Sequence, residues 1–507
     1  MKNGGVLLPV FSLPGKGGIG TMGSEARRFI DFLVKAGQSC WQILPLGPTG
    51  YGDSPYQPLS AFGGNPLLID LEDLYQQGLL SREELEKTAL DGDSREVLYD
   101  SLLGSRYRLL YTAFGRSRWE SAGLAAFQEQ QKHWLQDYAL FMAIKNVSGM
   151  RPWWEWPTEL AQREPQALRR FADQHTADIH FWIWLQYIFY TQWGAVRSYA
   201  NGRGIEIMGD IPIYVARDSA ELWASPQLFL MDKDGIPTGQ AGVPPDYFSA
   251  DGQLWGNPLY NWPVHAKQQY SWWIDRLRNA FELVDSVRID HFRGFEAYYS
   301  VPFGAENARN GHWEPGPGLK LFKAAQNALG DNLPIIAEDL GTLTPSARAM
   351  LAASGFPGMK VMQFGFDPKG DSEHLPHNMP EHCVAYIGTH DNSTVKGWLG
   401  TAPAEEAAFA RKYLGLEPSR DPAWGFIKGL YDSPAQLVVV QMQDFLSLDD
   451  RARMNIPSTL GGNWCWRMLE GEASPQLAQK IRGLAESYGR ANTKAPYRSI
   501  SMEVPAE

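Results

Sequence analysis

Apolar positions in this chain fall into two alternating rhythms. Eight short runs are almost continuously apolar: VLLPVFSL (6–13), SCWQILPLG (39–47), IEIMGDIPIYV (205–215), SVRIDHF (286–292), PIIAEDLG (334–341), KVMQFGF (360–366), HCVAYIGTHD (382–391) and QLVVVQMQDF (436–445). Strands buried on both faces of a parallel sheet read this way, whereas half-solvated strands alternate. Amphipathic helical patterns lie between most of the runs. SEARRFIDFLVKAG (24–37) opens on a capping Ser and stops at Gly, and TPSARAMLAASG (344–355) opens on Thr-Pro and closes on Gly. Eight strand–helix units in succession predict an α/β fold of the (β/α)8 TIM barrel type, with the chain, 1–507, forming one elaborated domain.

The spacing is uneven. Residues 48–204 separate the second run from the third, far more than one crossover helix needs. Within them 70–175 is mostly helical, broken at RPWWEWP (151–157), and predicts an inserted helical subdomain at the C-terminal rim of the strands. The stretch 216–268 is rich in Gly, Pro, Asn and Asp and predicts an irregular loop insertion beside the active site. The tail, 490–507, is expected to be partly mobile.

Composition narrows the ligand. Against 57 acidic residues stand 46 basic ones, a net charge of −11 without long like-charge blocks. Nucleic acids and anionic membranes need clustered Lys and Arg, so neither is expected as a partner. The three cysteines, Cys40, Cys383 and Cys465, form no CxxC pair and predict neither a disulfide framework nor a zinc site, hence a cytoplasmic setting. No signal-peptide pattern opens the chain, and no long apolar stretch predicts membrane insertion. Tryptophan is abundant, at 19 residues beside 21 Tyr and 23 Phe. WIWLQYIF (182–189) is helical core by its pattern. LWGNPLYNW (254–262) is a loop by its breakers, and its rings are expected to be exposed, where sugars stack their apolar faces.

Candidate chemistry sits at the downstream ends of the runs, where buried strands should avoid charge. Asp290 lies two residues after Arg288, so in a strand both side chains share a face. A cation that close favours the carboxylate, as a nucleophile requires. Glu338 follows Pro334, Ile335, Ile336 and Ala337, and partial burial there raises a carboxyl pKa toward that of a general acid. Asp391 follows His390, with Asn392 and Ser393 beyond. Each has an ordinary structural reading: an Arg–Asp pair closing a strand, a strand-end charge, a helix N-cap in THDNS. Together they predict three carboxylates converging on one barrel mouth, an arrangement suited to glycosidic bonds. Asp210 ends the third run in the same manner, and Tyr56 in GYGDSPYQ (50–57) offers a stacking ring.

A competing pattern is GxGxxG at Gly15, Gly17 and Gly20, after a strand and before a helix. The acid that a dinucleotide site expects at the end of the next strand is missing, so a mobile rim loop is the favoured reading. HLPH (374–377) is the closest pair of histidines and reads as a solvent loop, with no metal expected.

With these residues in hand, the chain closely resembles the 4-α-glucanotransferases (amylomaltases, or disproportionating enzymes) of glycoside hydrolase family 77 in the α-amylase clan. GYGDSPYQ, GDIPIYV, PPDYFSADGQLWGNPLYNW, VRIDHFRGF, IIAEDLG, THDN and RMNIPST carry the resemblance nearly end to end. It implies that Asp290 is the nucleophile, Glu338 the acid/base and Asp391 the transition-state stabiliser. It implies that Asp210, Arg288 and His390 hold the glucosyl unit, and that Tyr56, Trp255, Asn257, Phe364 and Asn455 line the glucan groove. Tyr214 and Val215 stand where amylases carry an Asn-His pair tied to structural calcium, so neither calcium nor any cofactor is implied.

The implied reaction is a retaining transfer of α-1,4-glucan segments through a covalent β-glucosyl–Asp ester. Maltooligosaccharides, amylose, starch or glycogen-derived glucans are the implied partners. Hydrolysis of the same intermediate and a catalytically inactive glucan-binding protein are the alternatives. The sequence leaves donor length and oligomeric state open.

Overall fold

A computed structural model describes residues 2–50, 52–87, 95–118, 121–245, 250–341 and 343–493. Tyr51 of the GYGDSPYQ motif, 246–249 of the loop insertion, parts of the helical insertion and the tail from 494 lie outside these residues. In chain order the strands are β1 (Asn3–Leu7), β2 (Cys40–Gln42), β3 (Glu206–Pro212), β4 (Gly239–Val243), β5 (Gln253–Pro258) and β6 (Ser286–Asp290). There follow β7 (Ala297–Pro302), β8 (His312–Pro315), β9 (Ile335–Ala337), β10 (Gly358–Val361), β11 (Cys383–Tyr386) and β12 (Leu437–Gln441).

Eight of them form one parallel sheet in the order β10-β11-β12-β1-β2-β3-β6-β9. Each of the eight apolar runs supplies one strand. The strands are shorter than their runs, and proline is one cause. Pro45 ends the ladder after β2, and Pro9 turns the first run into a short 3-10 helix at Val10–Ser12, since neither has an N–H to give. Between β9 and β10 the sheet comes round to near closure. There Ala337 donates its N–H to Pro357 O at 2.9 Å, and the Asp339 carboxylate accepts Met359 N–H at 2.6 Å. Asp339 thus faces away from Glu338 and bridges the seam.

Interior strand residues such as Val287, Ile289, Val438 and Val440 are fully buried, each contributing about 1.5–3 kcal/mol relative to exposure. Helices cover the outside. The first, Ser24–Lys35, buries Phe29, Ile30, Phe32 and Leu33; Gly23, not Ser24, occupies its N-cap. Pro345–Ser354 is capped as its sequence indicates, with Thr344 accepting Ala347 N–H and Gly355 left-handed at φ 72°. Thr176–Asn201 carries the WIWLQYIF segment into the core. Its buried Gln186 exchanges hydrogen bonds with both backbone groups of Gly64, which satisfies a polar side chain in an apolar wall.

The described residues of the stretch 216–268 are not irregular. They hold the helices Ala220–Ala224 and Trp262–Lys267 and the strands β4 and β5, half of a four-stranded antiparallel sheet ordered β5-β4-β7-β8. Glycines at 239, 242 and 256 erase the alternation that marks a strand, and Gly256 adopts φ 74°. The pairing partner β7 lies beyond the stretch, so local pattern cannot reveal the sheet. LWGNPLYNW also departs from expectation. Tyr260 and Trp262 are buried, Tyr260 donating its hydroxyl to Ile213 O, and Trp255 alone of its rings stays partly open.

Candidate active site

Because the barrel strands run parallel, their downstream ends share one mouth. Asp210 belongs to β3, Asp290 is the last residue of β6, Glu338 follows β9 and Asp391 lies five residues beyond β11. Four carboxylates from four distant segments therefore reach the same rim.

Arg288 organises two of them. Its Nη1 lies 2.9 and 2.8 Å from the two oxygens of Asp210, and its Nη2 donates to Asp290 Oδ1 at 2.9 Å. Nε–H points at Met359 Sδ, 3.3 Å away. Arg288 and Asp210 are each only 3 % exposed, while the Asp290 side chain opens to the mouth at 32 %. Burial opposes the charge on Arg288, but Asp210 and Asp290 outweigh it and hold the guanidinium pKa well above its usual value. Burial likewise pushes Asp210 up, to about 6, against the pull of Arg288. The contacts at 2.8–2.9 Å describe an ion pair whose burial carries a desolvation cost.

Glu338 has a different setting. No side-chain cation touches its carboxylate; it accepts two backbone N–H groups, His291 to Oε2 at 2.7 Å and Leu340 to Oε1 at 2.8 Å. Burial first, then the neighbouring charge of Asp290, raise its pKa to about 7, with Arg288 and the two N–H groups pulling the other way. His291 can aim its N–H at this carboxylate because its backbone is left-handed, at φ 53°.

Asp391 is set by its loop. Asn455 donates to its Oδ1 at 2.6 Å, and His390 Nε2 lies 3.4 Å from the same oxygen. Arg453 ties the segment down, donating to Asp391 O, to Ser393 Oγ and to Asn455 O. The helix that follows, Val395–Thr401, is capped by Thr394. Asp391 is therefore not its N-cap, and its half-exposed side chain is left facing the rim.

Tyr56 joins the two halves of the mouth. Its hydroxyl donates to Asp210 Oδ2 at 2.9 Å and lies 3.3 Å from His390 Nδ1; its ring stacks on His390 at 4.9 Å and leans on Trp464 at 5.6 Å. Burial and Asp210 push the phenol pKa well above its usual value, so it stays a donor. Trp255 meets His291 edge to face at 4.9 Å. Phe364, just past β10, is 48 % exposed.

Asn257 does not present its amide to the mouth. At 4 % exposure it exchanges two hydrogen bonds with the Gln57 amide and donates to Val215 O at 2.8 Å, locking β5 to the loops after β2 and β3. Gln57, Arg453, Trp464 and the N–H groups of His291 and Leu340 escaped sequence reading. Gln57 and Arg453 stood inside quoted motifs; a backbone donor leaves no signal in a side-chain alphabet.

Two further expectations change. The glycine-rich loop is pinned, with Arg467 donating to the Gly15 carbonyl and Gly20 N–H to Phe11 O. His374 of HLPH accepts Val361 N–H and meets Phe364 edge-on, so this half of the pair is structural. Among the described residues no three His, Cys, Asp or Glu side chains gather to hold a metal ion.

A parallel barrel with acids and open aromatic rings at its C-terminal mouth defines a carbohydrate-active barrel enzyme. The family model for 4-alpha-glucanotransferases, glycoside hydrolase family 77, matches residues 8–472. A 4-alpha-glucanotransferase of Clostridium butyricum is 45 % identical over 485 residues, covering 95 % of this chain and 99 % of the relative. One from Thermus thermophilus is 46 % identical over 498 residues, covering 96 % and 98 %. The structure of an amylomaltase from Streptococcus agalactiae in complex with acarbose superposes with a TM-score of 0.94 at 41 % identity, covering 97 % of this chain and all of that one. The chain belongs to the 4-alpha-glucanotransferase family, transglycosylases that move α-glucan segments from donor to acceptor.

Proposed function

We propose that the transfer runs as a double displacement in which Asp290 is the nucleophile, Glu338 the proton carrier and Asp391 the electrostatic partner of the anomeric carbon. The observation that carries this reading is the unequal treatment of two neighbouring carboxyls: Asp290 is bonded to a guanidinium, while Glu338 is buried and raised to about 7. Asp290 thus keeps a cationic partner at the mouth, and Glu338 is set to gain and lose a proton near neutrality.

In the first step Glu338 gives its proton to the bridging oxygen, whose bond to the anomeric carbon breaks. Asp290 attacks that carbon through Oδ2, since Arg288 engages Oδ1. The leaving fragment departs with the Glu338 proton, and a β-glucosyl ester remains on Asp290. The ionised Glu338 then takes the proton of an acceptor 4-hydroxyl, whose oxygen displaces Asp290 and restores an α-1,4 bond. Retention of this kind needs carboxyl groups about 5–5.5 Å apart. The bond broken and the bond made are of one type, so no nucleotide is consumed.

Asp210, Arg288 and His390 support binding of the glucosyl unit, with Tyr56 as its platform. Trp255, not Trp262, supplies the aromatic wall on the acceptor side, and Asn455 and Phe364 complete the groove. Asn257 contributes by fixing the wall. Maltooligosaccharides, amylose, starch and glycogen-derived glucans fit this neutral, ring-lined mouth. The sparse, unbridged cysteines fit a cytoplasmic setting, and no helix among the described residues is long and apolar enough to cross a membrane.

Maltotriose tests the reading directly. Transfer yields glucose and a ladder of longer oligosaccharides at constant reducing ends. A steady rise in reducing ends without the ladder contradicts it in favour of hydrolysis.

A further inference from the structure

The barrel sheet has its two ends at β9 and β10, and a side chain takes part in the join between them. Ala337 N–H reaches Pro357 O at 2.9 Å, as in a parallel ladder. The next donor along β10, Met359 N–H, would in such a ladder go to the Ala337 carbonyl. It goes to Asp339 Oδ1, 2.6 Å away. The Asp339 side chain is only 8 % exposed, and its second oxygen lies 3.5 Å from Lys360 Nζ, which also pairs with Glu373 at 3.3 Å. Gly358 makes room for this carboxylate: a Cβ there would stand 2.7 Å from Asp339 Oδ2.

The residue that bridges the seam is the one next to the proton carrier. On the β6 side Glu338 is held by the main chain: its N–H donates to Ile289 O and its carbonyl accepts Phe292 N–H, both at 3.1 Å. On the β10 side the hold passes through Asp339. Leu340, whose N–H donates to Glu338 Oε1 at 2.8 Å, lies just beyond, so the Asp339 backbone joins the carboxylate to one of its two donors. Met359, the residue clasped, also places its sulfur 3.3 Å from Arg288 Nε. One clasp therefore adjoins both strand ends that carry the reacting carboxyls.

We infer that Asp339 is a positioning residue for the transfer reaction: by holding Met359 N–H across the seam it fixes the segment 338–340, and with it the alignment of Leu340 N–H on the Glu338 carboxylate. Asp339 faces away from Glu338 and acts through the backbone they share. Without its carboxylate, Met359 N–H is left buried with no acceptor, and the seam must shift to satisfy it. That shift turns Leu340 N–H away and removes a dipole that favours the ionised acid. The inference rests on the reading of Glu338 as proton carrier and deepens it.

The test is the pH dependence of kcat and kcat/KM on maltotriose in the wild type, Asp339→Ala, Asp339→Asn and Gly358→Ala. Asp339→Ala is expected to lower kcat roughly ten- to a hundredfold and to move the alkaline limb of kcat/KM upward by about one pH unit. Asp339→Asn removes the same charge but keeps an oxygen for Met359 N–H, and should restore most of the rate and the wild-type limb. Gly358→Ala keeps every charge and displaces the Asp339 carboxylate with a methyl group. It should move the limb the same way, and it serves where Asp339→Ala does not fold. A limb unmoved in Asp339→Ala, or in Gly358→Ala where the former does not fold, overturns the inference, because damage to the fold alone lowers the rate without changing the proton affinity of Glu338. A limb displaced as far in Asp339→Asn as in Asp339→Ala overturns it too, by assigning the effect to charge. Failure of the underlying reading shows separately, as turnover retained in Glu338→Gln.

Discussion

The ends of β6 and β9 lie side by side in the barrel, and each delivers a carboxylate to the same mouth, yet they treat it in opposite ways. At the end of β6 a buried guanidinium grips Asp290 and Asp210 together. At the end of β9 the Glu338 carboxylate accepts two backbone N–H groups and no side-chain cation, and burial with the nearby Asp290 charge raises its pKa to about 7. Neighbouring strands of one sheet can therefore give similar groups different partners. The difference lies in whether the compensating partner is a full charge or a pair of dipoles.

Removing the charge on the β6 side should have the largest effect. Asp290→Asn leaves the shape and removes the anion, and a loss of kcat of roughly four orders of magnitude or more is expected with glucan substrates. A mild loss places the nucleophile elsewhere. On the β9 side, Glu338→Gln keeps the size and removes the proton; the loss on maltodextrins should be about 10²–10⁴-fold. Retained turnover there breaks the comparison.

The partner can be removed in place of the acid. Arg288→Met leaves Asp210 buried without its cation, and thermal and denaturant unfolding should show destabilisation of about 3–5 kcal/mol. Stability close to wild type argues that the guanidinium is not what holds the β6 end together.

The smallest and most diagnostic effect is the pH profile. Glu338 must be protonated in the free enzyme, so kcat/KM should fall about tenfold per pH unit above about 7. Stability carries the same sign. The folded carboxyl titrates near 7 and the unfolded one near 4.5, so the native state binds more protons between those values. Raising the pH through that window erodes the contribution of Glu338, which is fully present below it. A rate flat from pH 7 to 9 removes Glu338 from the role.

The β6 and β9 ends were legible in the sequence for different reasons. Arg288 and Asp290 sit two apart in one strand, and a period of two fixes their contact without any tertiary knowledge. Glu338 after Ile335, Ile336 and Ala337 announces burial. The eight barrel strands read well because burial on both faces leaves an unbroken apolar record. Contacts across the chain were not legible: Tyr56 stacks on His390 and Asn455 bonds Asp391, but only folding brings those segments together. Glycines in β4 and β5 concealed the second sheet. Asn257 lies in a motif whose position was clear but whose amide, spent on Gln57 and Val215, was not.

The division of labour between the two strand ends is tested most directly by Glu338→Gln incubated with an α-maltosyl fluoride, whose leaving group needs no proton. Attack by Asp290 then proceeds while release to the acceptor, deprived of its base, stalls. Peptide mass spectrometry is expected to find the glycosyl mass on the fragment bearing Asp290. The same mass on Asp391, or fluoride release with Asp290 unmodified and no transfer product, contradicts it.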